Sequence, residues 1–370
     1  MFASCRNEAQ SPTLIFNESR ELSAPDCDQS AQLVNRAPSE FQMASVQNGW
    51  SIPVADVFDG GPGKDGIPSL QIPQLIERSE VDYLGQDELV VGYVSCDEAI
   101  AYPHEVLDWH EIVNDELHKM NYAIVYCPLT GSATCWNREI NGEVTTFGVS
   151  GSLWNSNIVP YDRATDSNWS QLLMHGVSGS NVNRNAEQYP IIETTWATWQ
   201  RMYPNTKVVS RNTGHRRQYG VYPYGSYKTS QSTIFPLDNA DTRLHNKERV
   251  LAVFEQDSVI AFRFSTFNER VKIVEERIMD NNIVVVGSED QNFLAAYSAD
   301  IDEVSTLTFT PLKNRLPRVM EDNEGNQWDI FGRCVKGVRE GQQLPPTRSY
   351  IAYWFALPAV YDKVEIYGMD

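Results

Sequence analysis

YPHEVLDWHEIVND (residues 102–115), followed after a short link by YAIVYCPLTGSATCW (122–136), is the stretch on which the reading of the chain turns. From Tyr102 to Trp136, link included, the chain holds three of the six histidines, two of the six cysteines and a cluster of carboxylates, a density of metal-binding and proton-moving groups found nowhere else in the sequence. Pro103 suits the first turn of a helix. Val106, Leu107 and Trp109 carry that helix to about Val113, where Asn114 and Asp115 help to end it. Tyr122 to Tyr126 is then a short apolar strand, and Thr130-Gly131-Ser132 a turn. Helix followed by strand folds the polar groups back towards one another.

Upstream, Leu89–Val94 and Ala99–Tyr102 read as a hairpin turning at Cys96-Asp97-Glu98. Downstream, Ala133–Ile140 and Val144–Val149 read as another, about Asn141-Gly142, a strong hairpin signal. The Gly-, Ser- and Asn-rich run from Gly148 to Tyr161 is expected to be a loop with a short strand at its end. Glu193–Tyr203 reads as a helix whose Trp196, Trp199 and Tyr203 recur at helical spacing and belong to the core. Val208-Val209 is a strand. Ser210–Tyr227 reads as an ordered loop whose arginines pair with carboxylates, with anion binding by His215-Arg216-Arg217 as the alternative. Gly60–Gly66 resembles a phosphate loop only in its glycines, because Asp65 stands where Ser or Thr would bind magnesium.

The second half repeats this order. Val250–Val253 and Ile260–Phe262 match the first hairpin, Ile283–Val286 matches Ala123–Tyr126, and Asn326-Gln327-Trp328 matches Ser167-Asn168-Trp169. The polar residues do not persist: Phe264 stands for His104, Arg270 and Val271 for His110 and Glu111, and Gly287 for Cys127. The expected fold class is therefore α+β and β-rich. It is built from two tandem pseudo-repeats of a strand-helix-strand-hairpin unit packed together. Residues 1–45 read as a polar tether, 46–235 as a first repeat carrying the site, and 236–370 as a second, degenerate repeat.

The 370 residues are 41% hydrophobic and 11% aromatic, enough for a sizeable core, and carry a net charge of −19. Such acidity argues against a nucleic-acid partner. No run of about 18 apolar residues is present to span a membrane. Met1-Phe2-Ala3-Ser4-Cys5 reads as the tail of a bacterial lipoprotein signal, with a lipid anchor at Cys5 and a periplasmic or extracellular location. The remaining cysteines show no CxxC pair, and a Cys5–Cys27 disulfide is the other use of the first two.

Several runs together resemble the bacterial and archaeal family catalogued as domain of unknown function 3179. They are GKDGIPSL (63–70), AYPHEVLDWHEIVND (101–115), YCPLTGSA (126–133), FGVSGSLWNSN (147–157), YDRATDSNW (161–169) and KERVLAV (247–253). The resemblance runs from about residue 46 to the end. It implies an exported, often lipid-anchored protein and no particular reaction. Some members carry a second cysteine where this chain has Thr130, which weakens a dithiol reading.

The residues themselves suggest three functions. The first is an exported metal-binding protein, copper favoured and zinc possible, with His104, His110 and Cys127 as ligands, acting as a redox enzyme or metal carrier. Cys135, Asp162 and His175 are further candidate ligands. The second is a metal-free enzyme with Cys127 as nucleophile, His110 or His104 as base, and Glu111 or Asp115 orienting the imidazole. The third is a non-catalytic surface binding module in which the motif braces loops. His118, His215 and His245 read as histidines satisfied by local hydrogen bonds.

Overall fold

Continuous apolar runs, buried on both faces, build the first hairpin. Strands β1 (Leu89–Ser95) and β2 (Glu98–Pro103) pair antiparallel across a turn that puts Cys96 in the left-handed region, at φ 54°. The computed structural model describes residues 45–369 apart from 257, 269, 303 and 304, so Cys5 and nearly all of the expected tether lie outside the described residues.

Helix α1 (His104–His110) follows β2 directly. It is shorter than the expected helix to Val113. Glu111 takes φ 58° and ψ −40°, which ends the helix at once, and Ile112 already begins a strand. Pro103 is the cap rather than the first helical residue. Strands β3 (Ile112–Leu117), β4 (Met120–Cys127) and β5 (Ser132–Asn137) form a meander, with Leu70-Gln71 added parallel to β3. The Asn141-Gly142 turn joins two-residue strands, Glu139-Ile140 and Glu143-Val144.

The expected loop at 148–161 is instead a hairpin of β6 (Phe147–Trp154) and β7 (Asn157–Asp162). Its turn residues Asn155 and Ser156 both have positive φ, the conformation of a tight hairpin turn, and Gly151 sits at a register shift between Val149 and Leu153. Residues 193–195 belong to β8 (Ile192–Thr195) rather than to a helix, and α2 (Trp196–Met202) begins after them, with Thr195 Oγ1 accepting from Thr198 N at 3.3 Å. On the other side, β9 (Lys207–Val209) lies parallel to β2, and Leu75–Glu77 pairs antiparallel to β9 at the edge of the sheet.

In the second half, β10 (Arg249–Glu255) and β11 (Ser258–Arg263) form a hairpin, followed by the meander β12 (Lys272–Ile278), β13 (Asn281–Ser288) and β14 (Phe293–Ser298). Then come β15 (Arg348–Tyr353), α3 (Ala356–Val360) and β16 (Glu365–Ile366). The first half pairs β8-β1-β2-β9 and the second β15-β10-β11-β16, with the same antiparallel, antiparallel, parallel senses. The protein is β-rich with few helices and many small sheets, 43% strand against 11% helix.

The core crosses between the halves. Val90 and Trp199 share one cluster with Val284 and Trp328, and Trp154, Leu172 and Met174 share another with Val250, Tyr350 and Trp354. Tyr361 and Tyr350 each donate a hydroxyl to Leu172 O, at 2.7 and 3.1 Å. Trp199 lies flat on β1, so that a Cβ at Gly92 would meet its ring at 2.1 Å. Gly92→Ala is therefore expected to destabilise the protein by about 1–3 kcal/mol by overpacking, read as a lower urea midpoint with an unchanged m-value.

Candidate functional site

Helix α1 is almost wholly buried although it contains His104, Glu105, Asp108 and His110. Each buried polar group needs a partner, and most of the partners come from the segment that joins the two halves. Glu105 takes the Arg211 guanidinium at 2.6 Å, and Asp108 takes Lys228 Nζ at 3.0 Å. Trp109 Nε1 donates to Val221 O at 3.2 Å. His110 Nε2 meets Tyr219 Oη at 2.6 Å, while its Nδ1 lies 2.7 Å from Pro68 O. Burial pushes His110 down to about 4, so the ring is neutral. A carbonyl can only accept, so Nδ1 carries the proton and Nε2 accepts from Tyr219. Both ring nitrogens are thus committed.

His104 occupies a separate pocket. Its Nδ1 lies 3.3 Å from Tyr126 Oη, and its Nε2 lies 3.2 Å from Glu193 Oε2. Glu193 also pairs with Arg249 from β10. Burial alone would raise the Glu193 carboxyl, but Arg249 and His104 hold it down to about 2. Tyr126 Oη completes the link to Asp108 Oδ1 at 3.3 Å. This chain of groups ties α1 to both halves.

Cys127 ends β4 fully buried, its thiol 3.7 Å from Ser156 O. Burial and then the Glu111 carboxylate push the thiol up to about 11, against hydrogen bonds from Thr130 and from the Ile158 backbone. A thiol held protonated in this way is a poor nucleophile at neutral pH. The structure does not bring Cys127, His104 and His110 together: each is engaged by other groups, and no contact joins the thiol to either imidazole. Among the described residues no three His, Cys, Asp or Glu side chains converge as a metal site requires.

The other candidates are also spoken for. Cys135 is buried within the apolar cluster of the first meander. Asp162 accepts from Trp169 Nε1 at 3.0 Å, from Thr165 and from Asn181. His175 Nδ1 lies 2.9 Å from Gly176 O. Asp115 accepts the Tyr102 hydroxyl at 2.8 Å. Cys96 is disulfide-bonded, whereas Cys127, Cys135 and Cys334 are free thiols.

The exception is Glu111. Its side chain is 4% exposed, and its Oε2 has no hydrogen-bond partner. Burial raises its carboxyl to about 8. The residue lines an apolar cavity of about 190 Å³ with Leu129, Leu153, Ile158, Tyr224 and Phe235. The rim is formed by the glycine-rich loop at 60–63 packed on Gly151, whose φ of 82° and whose missing Cβ, 2.6 Å from Gly63, both require glycine. Ile234, 51% exposed, lines the cavity where it reaches the surface. Left-handed backbone at a bulky residue costs on the order of 1–3 kcal/mol, and here it aims a carboxyl into that space.

Residues 64–364 match the family described as a protein of unknown function, DUF3179. The chain belongs to the DUF3179 family. No curated protein and no solved structure matches the chain. For this DUF3179 protein the sequence indicated Glu111 and Cys127 but not Tyr224, Phe235 or Ile234, which come from the joining segment. The one signal was that segment's tyrosines followed by the apolar pair Ile234-Phe235.

A raised carboxyl has a definite effect on stability. The folded Glu111 holds its proton to about 8, far above the ordinary carboxylate range. The burial cost is therefore absent at acidic pH and grows as pH rises from that range through about 8. Glu111→Gln removes it. The variant is expected to gain stability over the wild type across that window, by up to about 5 kcal/mol, in denaturant titrations at successive pH values.

Proposed function

We propose that this protein binds a small molecule in the cavity floored by Glu111, and that the polar motif around α1 serves to hold the joining segment over it. The observation that carries this reading is a buried carboxyl, one oxygen of which has no hydrogen-bond partner, lining a shaped apolar space. Ligand sites are commonly concave, mostly apolar and provided with a few convergent polar groups, and a strongly shifted ionisable group in such a cleft marks a functional candidate. The volume suits a ligand somewhat larger than benzene, which fills an apolar cavity of about 150 Å³. Glu111 offers that ligand a hydrogen bond and a titratable proton. The free thiol of Cys127 stands behind it, close enough to feel its charge.

The disulfide at Cys96 supports an oxidising compartment outside the cytoplasm. The equal pairing order of the four strands common to the two sheets supports descent from a duplicated unit, as do the Asp162–Trp169 and Asp322–Trp328 side-chain pairs, at 3.0 and 2.9 Å. Counting from the turns Leu117/Met120 and Ile278/Asn281 puts Ser288, not Gly287, at the place of Cys127, and Lys272 at that of Glu111. The site then belongs to the first copy alone.

Benzyl alcohol, a compact neutral probe, is expected to raise the melting temperature, with a stabilisation of about 1.4 kcal/mol at ten times its Kd. Leu153→Trp and the milder Leu153→Phe fill the cavity and should lose this response. Undiminished binding in both variants would overturn the assignment of the site.

A further inference from the structure

We infer that the occupant of the Glu111 cavity is a compact organic ammonium, a primary or secondary amine on a small apolar body. This inference rests on the reading of the cavity as a binding site. The surroundings of the carboxyl argue for it. Burial is the single cause of its shift, and no lysine, arginine or histidine side chain moderates it. The cations on the neighbouring elements are already committed: Lys228 to Asp108, Arg211 to Glu105, Arg163 to Asp65, and Lys64 to Asp166. His110, next in sequence, directs its ring to Pro68 and Tyr219. The titratable groups that sense Glu111 are the Cys127 thiol on β4 and the Tyr224 phenol of the joining segment, both raised by burial first and neutral. The protein thus supplies an ionisable carboxyl to the cavity and leaves out the countercharge that would let it ionise at neutral pH.

An ammonium ligand completes the pair. A buried carboxylate left alone is costly, and a hydrogen-bonded cation at contact distance offsets that cost. Tyr224 and Phe235 add aromatic faces, which attract cations as well as apolar bodies. The apolar walls of Leu129, Leu153 and Ile158 receive the rest of the ligand and disfavour a bare metal ion, which would need several oxygen ligands. The protons balance as follows. At neutral pH the amine arrives protonated and Glu111 holds its own proton, so forming the pair sends the carboxyl proton to solvent. A neutral ligand that accepts a hydrogen bond would instead keep that proton in place.

Benzylamine and benzyl alcohol have nearly the same shape and separate these cases. Titration calorimetry of the full chain, repeated in buffers of different ionisation enthalpy, is expected to show benzylamine releasing about one proton per site at pH 7 and binding at least tenfold tighter at pH 8.5 than at pH 6. Benzyl alcohol should weaken over the same range. In Glu111→Gln the amine should lose tenfold or more and its pH dependence, while the alcohol is unaffected. If the alcohol binds as tightly as the amine at every pH, or the amine binds without proton release, the ammonium assignment is overturned and the cavity reading stands. If neither probe binds, both are overturned. The proton release is measured on the wild-type chain, so the result does not depend on the variant folding.

Discussion

Buried polar groups must be paired, and helix α1 concentrates that demand. Four ionisable side chains on seven residues are withdrawn from water. The segment between the halves answers with Arg211, Tyr219, Val221 O and Lys228, β8 answers with Glu193, and Arg249 of the second half pairs with that Glu193 in turn. Net gains from such pairs are modest, whereas leaving one partner unmet costs several kcal/mol. The pairing therefore acts as a set of conditions on where the joining segment lies. Because that segment lies on α1, its Tyr224, Ile234 and Phe235 come to rest beside Glu111. The cavity wall follows from the helix's need for partners.

Glu111 breaks the pattern that its neighbours obey. It follows His110 directly, yet it has a left-handed backbone and a carboxyl oxygen without a partner. The conformation ends the helix one residue before β3, and the side chain lines the cavity instead of pairing as its neighbours do. Within one motif the protein thus holds residues that position the chain and one residue left with an unmet requirement. The second group is the one with something to offer a ligand.

Much of this was legible in the residues. Short apolar runs located the first hairpin and the strand ending in Cys127, and Asn141-Gly142 marked the turn between Glu139-Ile140 and Glu143-Val144. The clustering of His104, His110, Glu111 and Cys127 drew attention to one stretch of chain, of which only Glu111 lines the cavity. The sequence could not show which side chains meet across it. His110 and Glu111 leave the backbone on opposite sides of a helix end that depends on one φ angle, and no propensity scale indicates a positive φ at glutamate. The 147–162 hairpin was hidden because its glycines, there for close packing at the cavity rim, look like those of a loop. The partners of α1 lie about 100 residues away in the chain, beyond the reach of any local pattern.

The way β8 and β9 flank the first hairpin has a consequence for how the molecule is made. β1 and β2 are adjacent in the chain, but the strands on either side of them arrive only after the whole first meander and the β6–β7 hairpin have been synthesised. The hairpin edges stay unpaired while a ribosome adds about a hundred residues, and long-range pairing of this sort is slow. Exposed strand edges in that interval invite pairing with other chains. An acidic chain repels its own copies, so the net charge of −19 protects the nascent protein during the period when its central sheet is half built.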